Sequence, residues 1–297
     1  MLTRKTEQSM PESEALEVLA PAEAAKALVR AQVRAADSVL RCADVLAEAA
    51  ETMARALSGG GRLYYAAAGS SGLMAAADAM ELKGTFGISP DRVRILMAGG
   101  VPSTSDMPGD VEDAVDGLED ALAGIAPPDC LIAVAASGST PFTVTAAQIA
   151  RRAGVTVIGI ANNADAPLFD LSDHMIHLDT PPEMVSGSTR LGAGTAQKIA
   201  LNTLSTLMGV KLGHVYNGMM VNVLADNAKL RARANSIVRR VAGVDEKAAA
   251  KALSLSGDDV KVACLLAKGA PGLEAARAAL EITDGRIGPA MTRLGLE

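Results

Sequence analysis

The segment LYYAAAGSSGLMAAADAME, residues 63–81, indicates the fold class of this chain. Its first six residues form an apolar run of strand length, and its next four are Gly69, Ser70, Ser71 and Gly72. The remainder is rich in Ala and Met and favours a helix. A strand that ends in a small, hydroxylated turn and continues as a helix is the basic unit of an α/β protein.

Four further apolar runs of strand length follow this unit, and helical segments separate most of them. They lie at residues 93–98, 130–135, 155–160 and 175–178. Runs that are apolar on both faces and alternate with helices predict a parallel sheet covered by helices on both sides. The sequence therefore predicts an α/β fold, a three-layer α-β-α sandwich around a five-stranded parallel sheet.

Helical segments precede and follow the predicted sheet. Apolar residues recur every three or four positions from about residue 13 to residue 58, which is typical of an amphipathic helix. Residues 190–240 are again helical in pattern, and short Ala/Leu-rich runs separated by Gly and Pro follow them. The predicted boundaries are 1–58 for an N-terminal helical segment that packs on the sheet domain, 59–240 for the sheet domain and 241–297 for a small helical C-terminal domain.

The composition excludes several classes of function. Aromatic residues make up only 2% of the chain and Trp is absent, which argues against a platform for single-stranded nucleic acid. A formal charge of −6 argues against nonspecific nucleic-acid binding. No apolar run approaches the ~18 residues of a membrane span, and no apolar leader is visible. The three cysteines stand singly, without zinc-site spacing. We expect a cytoplasmic protein without a nucleic-acid or membrane partner and without a bound metal.

Two loops of one design follow the first and third predicted strands. Loop 1 is residues 69–72, and loop 2 consists of Ser137, Gly138, Ser139 and Thr140. Parallel sheets bind ligands beyond the carboxyl ends of their strands, where the first turn of the next helix offers free N–H groups to an anion. Turn formation and helix capping would explain one such loop, but two at equivalent positions favour an anion site. Neither loop matches a nucleotide-binding glycine motif, so a smaller phosphate ester is favoured.

Several segments carry a resemblance to a known family and keep its order and spacing from about residue 55 to residue 240. They include DAME at 78–81, TFG at 85–87, GLED at 117–120, AASGSTP at 135–141, EMVSGSTR at 183–190 and AGTAQK at 193–198. These segments resemble the N-acetylmuramic acid 6-phosphate etherases, which have the SIS (sugar isomerase) fold. The resemblance implies cleavage of a lactyl ether at C3 of that sugar, giving N-acetylglucosamine 6-phosphate and D-lactate, with no cofactor. It also implies a homodimer, since SIS domains commonly pair.

The resemblance further implies the roles of individual residues. By motif position, Glu81 matches the proton donor and Glu119 the second catalytic glutamate. The reaction needs one group to remove the C2 proton, which is acidic beside the aldehyde of the open-chain sugar, and another to protonate the departing lactate oxygen. The residues that match substrate- and phosphate-binding positions are Gly69, Ser70, Ser71, Gly72, Ser137, Gly138, Ser139, Thr140, Ser186, Ser188, Thr189, Arg190 and Lys198.

Three positions that are usually cationic in that family are neutral here. Leu73 and Ser139 stand in place of Arg, and Gly192 stands in place of Lys. This loss of charge predicts weaker anion binding and favours a divergent member that accepts an altered substituent. Two other functions stay open, a noncatalytic phosphosugar-binding regulator and a phosphosugar isomerase of the SIS fold. The two retained glutamates favour catalysis, and the segment before Lys198 favours the etherases over the isomerases.

Overall fold

The computed structural model describes residues 4–107 and 109–296, and it divides the chain into two compact units. Unit 1 contains the described residues up to Met80 together with Asp91–Ser205, and unit 2 contains Glu81–Pro90 and the described residues from Thr206 onward. All three divisions, after residues 80, 90 and 205, fall inside helical segments, whereas the predicted domain boundaries lie at residues 58 and 240. Those boundaries stay a prediction.

Unit 1 is built around a five-stranded parallel sheet in the order β2-β1-β3-β4-β5. The strands are β1 (Leu63–Ala67), β2 (Val93–Met97), β3 (Cys130–Val134), β4 (Thr156–Ala161) and β5 (His174–His177). The helices that begin in unit 1 are α1 (Pro21–Asp37), α2 (Ala43–Ser58), α3 (Gly69–Phe86), α4 (Leu118–Ala121), α5 (Pro141–Arg152) and α6 (Gly192–Lys211). The predicted α/β fold class is confirmed, and each strand lies within a residue or two of its apolar run.

The central strands are buried because helices cover both faces of the sheet. Every residue of β1 and β3 is buried. Tyr64 and Leu131 pack with Phe142 of α5 on one face, whereas Tyr65 faces the opposite side and donates its hydroxyl to Asp78 of α3. Alternate residues of one strand therefore contact different helix layers, as a three-layer sandwich requires.

Unit 2 contains a short hairpin and a helical cluster. The hairpin strands are β6 (Val215–Tyr216) and β7 (Met219–Met220), and the helices are α7 (Ala228–Ala242), α8 (Glu246–Ser256), α9 (Val260–Lys268), α10 (Leu273–Ile282) and α11 (Ile287–Leu294). The side chains of Asn227, Asp245 and Asp259 accept backbone N–H groups at the starts of α7, α8 and α9. These caps satisfy donors that a helix start leaves unpaired, so the polar residues between the Ala/Leu runs define where the helices begin.

Local backbone conformation corrects three helical predictions. The long helix predicted for 13–58 is interrupted by the 3-10 segment Ser38–Cys42. The acidic residues 111–123 have a composition that predicts a helix, but they form the 3-10 turn Asp110–Asp113 followed by the single turn α4, because Gly117 adopts the left-handed region at φ +78°. The helical region predicted over 190–240 contains the β6–β7 hairpin, whose turn is Asn217 and Gly218 at positive φ. An Asn-Gly pair is a strong hairpin signal.

Candidate active site

The two serine-glycine loops leave the sheet side by side. β1 and β3 are neighbours, and Ala67 pairs in register with Val134. The chain passes from β1 outward to β2 and then returns to the other side of β1 at β3. This reversal is a topological switch point, the place where open parallel sheets form a ligand-binding crevice. Loops 1 and 2 line that crevice from adjacent strands.

Loop 2 holds three hydroxyl groups close together. The Ser137 hydroxyl lies 3.3 Å from that of Ser139 and 3.4 Å from that of Thr140, and it accepts the Ser139 backbone N–H at 3.2 Å. All three side chains are partly exposed. Gly138 makes this turn with φ +68°, and a Cβ there would lie 2.2 Å from Cβ of Ala166. Glycine is therefore required at position 138 both by backbone conformation and by packing.

The first turn of α5 adds donors to this cluster. Thr140 is the residue that precedes the helix, yet its side chain makes no capping hydrogen bond. Thr143 is fully buried, and its hydroxyl has no hydrogen-bond partner among the described residues. Helical side chains lean toward the N-terminus of their helix, so this hydroxyl leans toward loop 2. Hydroxyls, free N–H groups and the positive end of a 12-residue helix together can bind an anion.

Loop 1 has a different environment, because a carboxylate lies against it. Gly69 begins α3 with φ +53°, and a Cβ at this position would lie 2.2 Å from Oε1 of Glu112. Gly72 packs so closely on β2 that a Cβ would lie 2.9 Å from Cγ of Met97. Ser71 is buried, and Ser70 is partly exposed. The carboxylate of Glu112 thus occupies the positive end of α3, the position that an anion would otherwise favour.

Glu81, the predicted proton donor, is exposed on α3 and belongs to unit 2. Three residues earlier, the buried carboxylate of Asp78 accepts hydrogen bonds from Tyr65, Asn202 and Ser205. Burial, and then the Asp78 carboxylate, raise the pKa of Tyr65 well above its ordinary value. The tyrosine therefore stays a neutral donor, and the network fixes α3 against β1 and α6 within unit 1.

Glu119, the second predicted catalytic residue, lies on α4 with 71% of its side chain exposed and forms an ion pair with Arg152. Arg152 is the last residue of α5, and loop 2 directly precedes the first. A 12-residue helix is about 18 Å long. In this chain Glu119 is therefore held near the end of α5 that is remote from loop 2.

The third predicted binding segment, residues 186–190, precedes α6. The Ser186 hydroxyl donates to the Glu7 carbonyl at 3.0 Å, Ser188 and Thr189 are partly exposed, and Arg190 is exposed. Lys198 is exposed on α6.

Glu183, just before this segment, is buried and accepts the backbone N–H groups of Gly192 and Ala193 at 2.8 Å each. Burial raises the pKa of Glu183, and these two hydrogen bonds oppose that rise. Because the carboxylate caps the start of α6, Glu183 is a structural residue.

Sequence reasoning missed four residues that the tertiary structure brings to this edge of the sheet. The Glu112 carboxylate lies against Gly69 of loop 1, and Arg4 donates to the Ser139 hydroxyl of loop 2. Asn163 donates to the Ser137 carbonyl at 3.3 Å. Glu183 caps α6. No local motif marks Arg4 or Glu112, which reach the loops from distant parts of the chain. Among the described residues, no group of three His, Cys, Asp or Glu side chains could hold a metal ion.

The sheet order and its paired loops define a protein of the SIS domain class. The SIS domain family model matches residues 30–162. Unit 1 also shares its fold with solved structures of the c3406 protein of E. coli (TM-score 0.50, 13% identity, 70% of this chain and 97% of that one) and of a protein involved in capsule formation from Bacteroides fragilis (TM-score 0.52, 20% identity, 67% and 95%). At these identities the likeness concerns the fold alone.

The chain belongs to the N-acetylmuramic acid 6-phosphate etherase family. It is 44% identical to the etherase of Deinococcus radiodurans over 291 residues, which covers 95% of this chain and 93% of that relative. It is 38% identical to the etherase of Rubrobacter xylanophilus over 260 residues, covering 87% and 86%. Within residues 4–107 and 109–296, no helix has the length and apolar character needed to cross a bilayer.

Proposed function

We propose that this chain is a carbon–oxygen lyase that cleaves the D-lactyl ether of N-acetylmuramic acid 6-phosphate, yielding N-acetylglucosamine 6-phosphate and D-lactate. The observation that carries the proposal is the 44% identity to a named etherase across 95% of this chain. The anion-binding chemistry of loop 2, at a switch point of the sheet, supports a phosphorylated substrate. The proposed reaction uses side chains of this chain and no cofactor.

The substrate phosphate binds at loop 2 in this proposal. The hydroxyls of Ser137, Ser139 and Thr140 and the start of α5 supply its hydrogen bonds. Loop 1 faces the uncharged part of the sugar, because the Glu112 carboxylate beside it would repel a phosphate. The segment 186–190 and Lys198 supply further hydroxyl and cationic groups for the remainder of the substrate.

Glu81 and Glu119 divide the proton transfers. A carboxylate removes the C2 proton, the C3–O bond breaks as the C2–C3 double bond forms, and a carboxylic acid protonates the departing lactate oxygen. Water then adds across the double bond and restores the hydroxyl at C3. We assign the acid role to Glu81. Glu119 receives the base role by its motif position, although its ion pair with Arg152 lies at the end of α5 that is remote from loop 2, and the Glu119→Gln variant tests that role.

We also propose that two copies of the chain form a homodimer through α1. Val29 and Val33 of α1 are 62% and 55% exposed and lie four residues apart on one face, and Leu40 in the 3-10 segment that follows is 76% exposed. Because SIS domains commonly pair, we expect a second copy of this chain to cover this apolar face. Light scattering is expected to give twice the 30.3 kDa chain mass, and Val33→Asp is expected to give a single-chain mass. A wild-type mass of one chain would remove this part of the proposal.

A cytoplasmic location, without a nucleic-acid or membrane partner, completes the proposal. The three cysteines are free and buried, as is typical of proteins in reducing compartments, and the formal charge is −6. Fractionation of the producing cell should recover the protein with the cytoplasmic enzymes.

The deciding experiment is incubation with N-acetylmuramic acid 6-phosphate in deuterated water. Release of D-lactate together with deuterium at C2 of the product supports elimination, because the C2 proton exchanges with solvent only if it is removed. Tight binding without lactate release would instead support the regulator, and release of an isomerised sugar phosphate would support the isomerase.

Two variants test the assigned carboxylates. Glu81→Gln and Glu119→Gln should each reduce kcat by at least ~100-fold, the usual contribution of a general acid or base, with phosphosugar affinity changed less than tenfold. Asp120→Asn, an exposed acid beside Glu119, and Arg152→Gln, which removes the ion pair alone, serve as controls and should retain activity. Full activity of either glutamine variant excludes that glutamate from the mechanism.

A further inference from the structure

The N-terminal strap, residues 4–10, lies across the carboxyl edge of the unit 1 sheet. Its residues contact several separate segments there. The partners are Ser139 for Arg4, Asp179 for Lys5, Asn163 for Thr6, Ser186 for Glu7 and, through a backbone bridge, Glu183 for Ser9. The strap therefore links loop 2 to the segment 186–190, both of which are predicted to bind substrate.

Thr6 and Asn163 anchor the strap beside loop 2. Both residues are buried, and they exchange two hydrogen bonds, since the Thr6 N–H donates to Oδ1 of Asn163 at 3.3 Å and Nδ2 of Asn163 donates to Oγ1 of Thr6 at 3.1 Å. The same Nδ2 lies 3.3 Å from the Ser137 carbonyl oxygen. Asn163 thus connects the strap backbone to the loop 2 backbone, which keeps Arg4 close to the loop.

Arg4 differs from the other cations nearby in its hydrogen-bond partner. Lys5 and Arg41 both pair with Asp179, and chiefly the Lys5 hydrogen bond lowers the pKa of Asp179. Arg4 donates to the Ser139 hydroxyl, and no carboxylate of the described residues forms an ion pair with it. Its guanidinium is therefore outside ion-pair distance of the described carboxylates, although Asp165 and Asp179 line the cavity beside it.

Loop 2 itself supplies no positive side chain. Its residues are serine, glycine and threonine, and the first basic residue of α5 is Arg151, in the last turn of that helix. A phosphate held only by hydroxyl and N–H groups would lack a charge partner. A guanidinium is planar, always charged and able to bind phosphate through two parallel hydrogen bonds. It carries five N–H donors, of which one goes to Ser139.

A cavity of about 210 Å³ opens beside Arg4, between the strap and the ends of β4 and β5. Asn163 and His177 form part of its lining. Arg4 borders this cavity and contacts loop 2 as well. Its guanidinium thus stands next to both the hydroxyl cluster and a space that a small polar group can enter.

We propose, resting on the sugar-phosphate function assigned above, that Arg4 binds the substrate phosphate at loop 2 and supplies the cationic contact that the loop lacks. The strap is then a part of the substrate site, and the anchoring of Thr6 on Asn163 positions the guanidinium. Ser139 leaves room for Arg4, because a long side chain at position 139 would occupy the place of the guanidinium.

Binding of N-acetylglucosamine 6-phosphate, measured by titration calorimetry, tests this role without turnover. Arg4→Gln keeps a side-chain N–H donor for Ser139 and removes the charge, and it should weaken binding about 10- to 100-fold. Arg4→Lys should recover part of that loss. With the ether substrate, KM should rise in Arg4→Gln while kcat stays within about threefold of wild type.

Lys5→Gln is the matched control, since it alters the strap at the adjacent residue and removes a charge that Asp179 already compensates. It should bind the sugar phosphate within about threefold of wild type. Unchanged affinity in Arg4→Gln overturns the role of Arg4, and equal losses in Arg4→Gln and Lys5→Gln would assign the effect to the strap as a whole. Failure of the wild-type chain to release lactate would reject the etherase proposal alone, because the role of Arg4 is judged on binding.

Discussion

Loops 1 and 2 share a position after neighbouring strands and a content of small serine and glycine residues, yet the tertiary structure gives them opposite electrostatic surroundings. Both join a buried central strand to a helix through small hydroxylated residues. Loop 1 has the Glu112 carboxylate against Gly69, and loop 2 has the Arg4 guanidinium on Ser139. Similar backbone designs therefore have different local charges, because chain segments distant in sequence approach each loop.

The largest expected difference between the loops concerns their glycines. Gly138→Ala should lower the free energy of unfolding by about 3 kcal/mol, because a positive φ and a Cβ 2.2 Å from Ala166 add strain to overpacking. Gly69→Ala should lower it by about 1 kcal/mol, since the atom its Cβ meets belongs to the flexible Glu112 side chain. Urea denaturation of both variants measures the difference. Equal losses would show that the two turns are equally constrained.

Moving the positive charge from the strap to a loop should show which loop holds the phosphate. In an Arg4→Gln background, Ser139→Arg should restore N-acetylglucosamine 6-phosphate affinity to within about threefold of wild type, against the 10- to 100-fold loss in Arg4→Gln alone, because a charged hydrogen bond contributes roughly 1.5–3 kcal/mol. Leu73→Arg, directly after loop 1 in the same background, is the matched control and should restore nothing. Recovery by Leu73→Arg instead would assign the phosphate to loop 1.

Removal of the Glu112 carboxylate beside loop 1 should change sugar-phosphate affinity by a smaller factor. Glu112→Gln should strengthen sugar-phosphate binding about two- to fivefold at low salt, since a carboxylate beside the neighbouring loop repels a dianion weakly through water. The gain should disappear near ~0.5 M salt, where screening is strong. Calorimetry at both salt concentrations tests this, with the exposed Asp113→Asn as control. Weaker binding in Glu112→Gln would contradict the assignment of the phosphate to loop 2.

The smallest effect should come from the ion pair between Lys5 of the strap and Asp179. Lys5 lowers the pKa of Asp179 from its ordinary 3.8, so this pair stabilises the fold above that pH and is lost as pH falls through the lowered value. Asp179→Asn should lower the free energy of unfolding by less than about 1 kcal/mol at pH 7, because the pair is exposed. The difference in denaturant midpoint between wild type and Asp179→Asn should narrow as the pH falls from about 5 to about 3. A gap that widens on acidification would contradict this sign.

The fold was largely predictable because its signal is local. The apolar runs predicted all five strands of the parallel sheet, and their apolar character on both faces predicted that the sheet is parallel. Helix continuity was harder to predict, because a single left-handed glycine, Gly117, breaks the acidic segment and an Asn-Gly turn forms the β6–β7 hairpin. In both places one backbone conformation overrides a favourable helical composition.

The candidate site was predictable only in part. Loops 1 and 2 follow strands and were identified by position, and the family motifs assigned Glu81 and Glu119 their roles, which stay predictions. The structure adds that Glu119 pairs with Arg152 at the remote end of α5. It also adds the Asp78 network that fixes α3, which joins residues more than 100 positions apart.

The sequence by itself determined the α/β class, the strand positions and the two loops, because hydrophobic periodicity and turn chemistry act over a few residues. The tertiary structure alone decided which loop carries a positive charge. Arg4 reaches Ser139 across 135 residues, and the Glu112 carboxylate reaches Gly69 across the β2 connection. Electrostatic interactions depend on distance in space, and the sheet order β2-β1-β3-β4-β5 sets that distance.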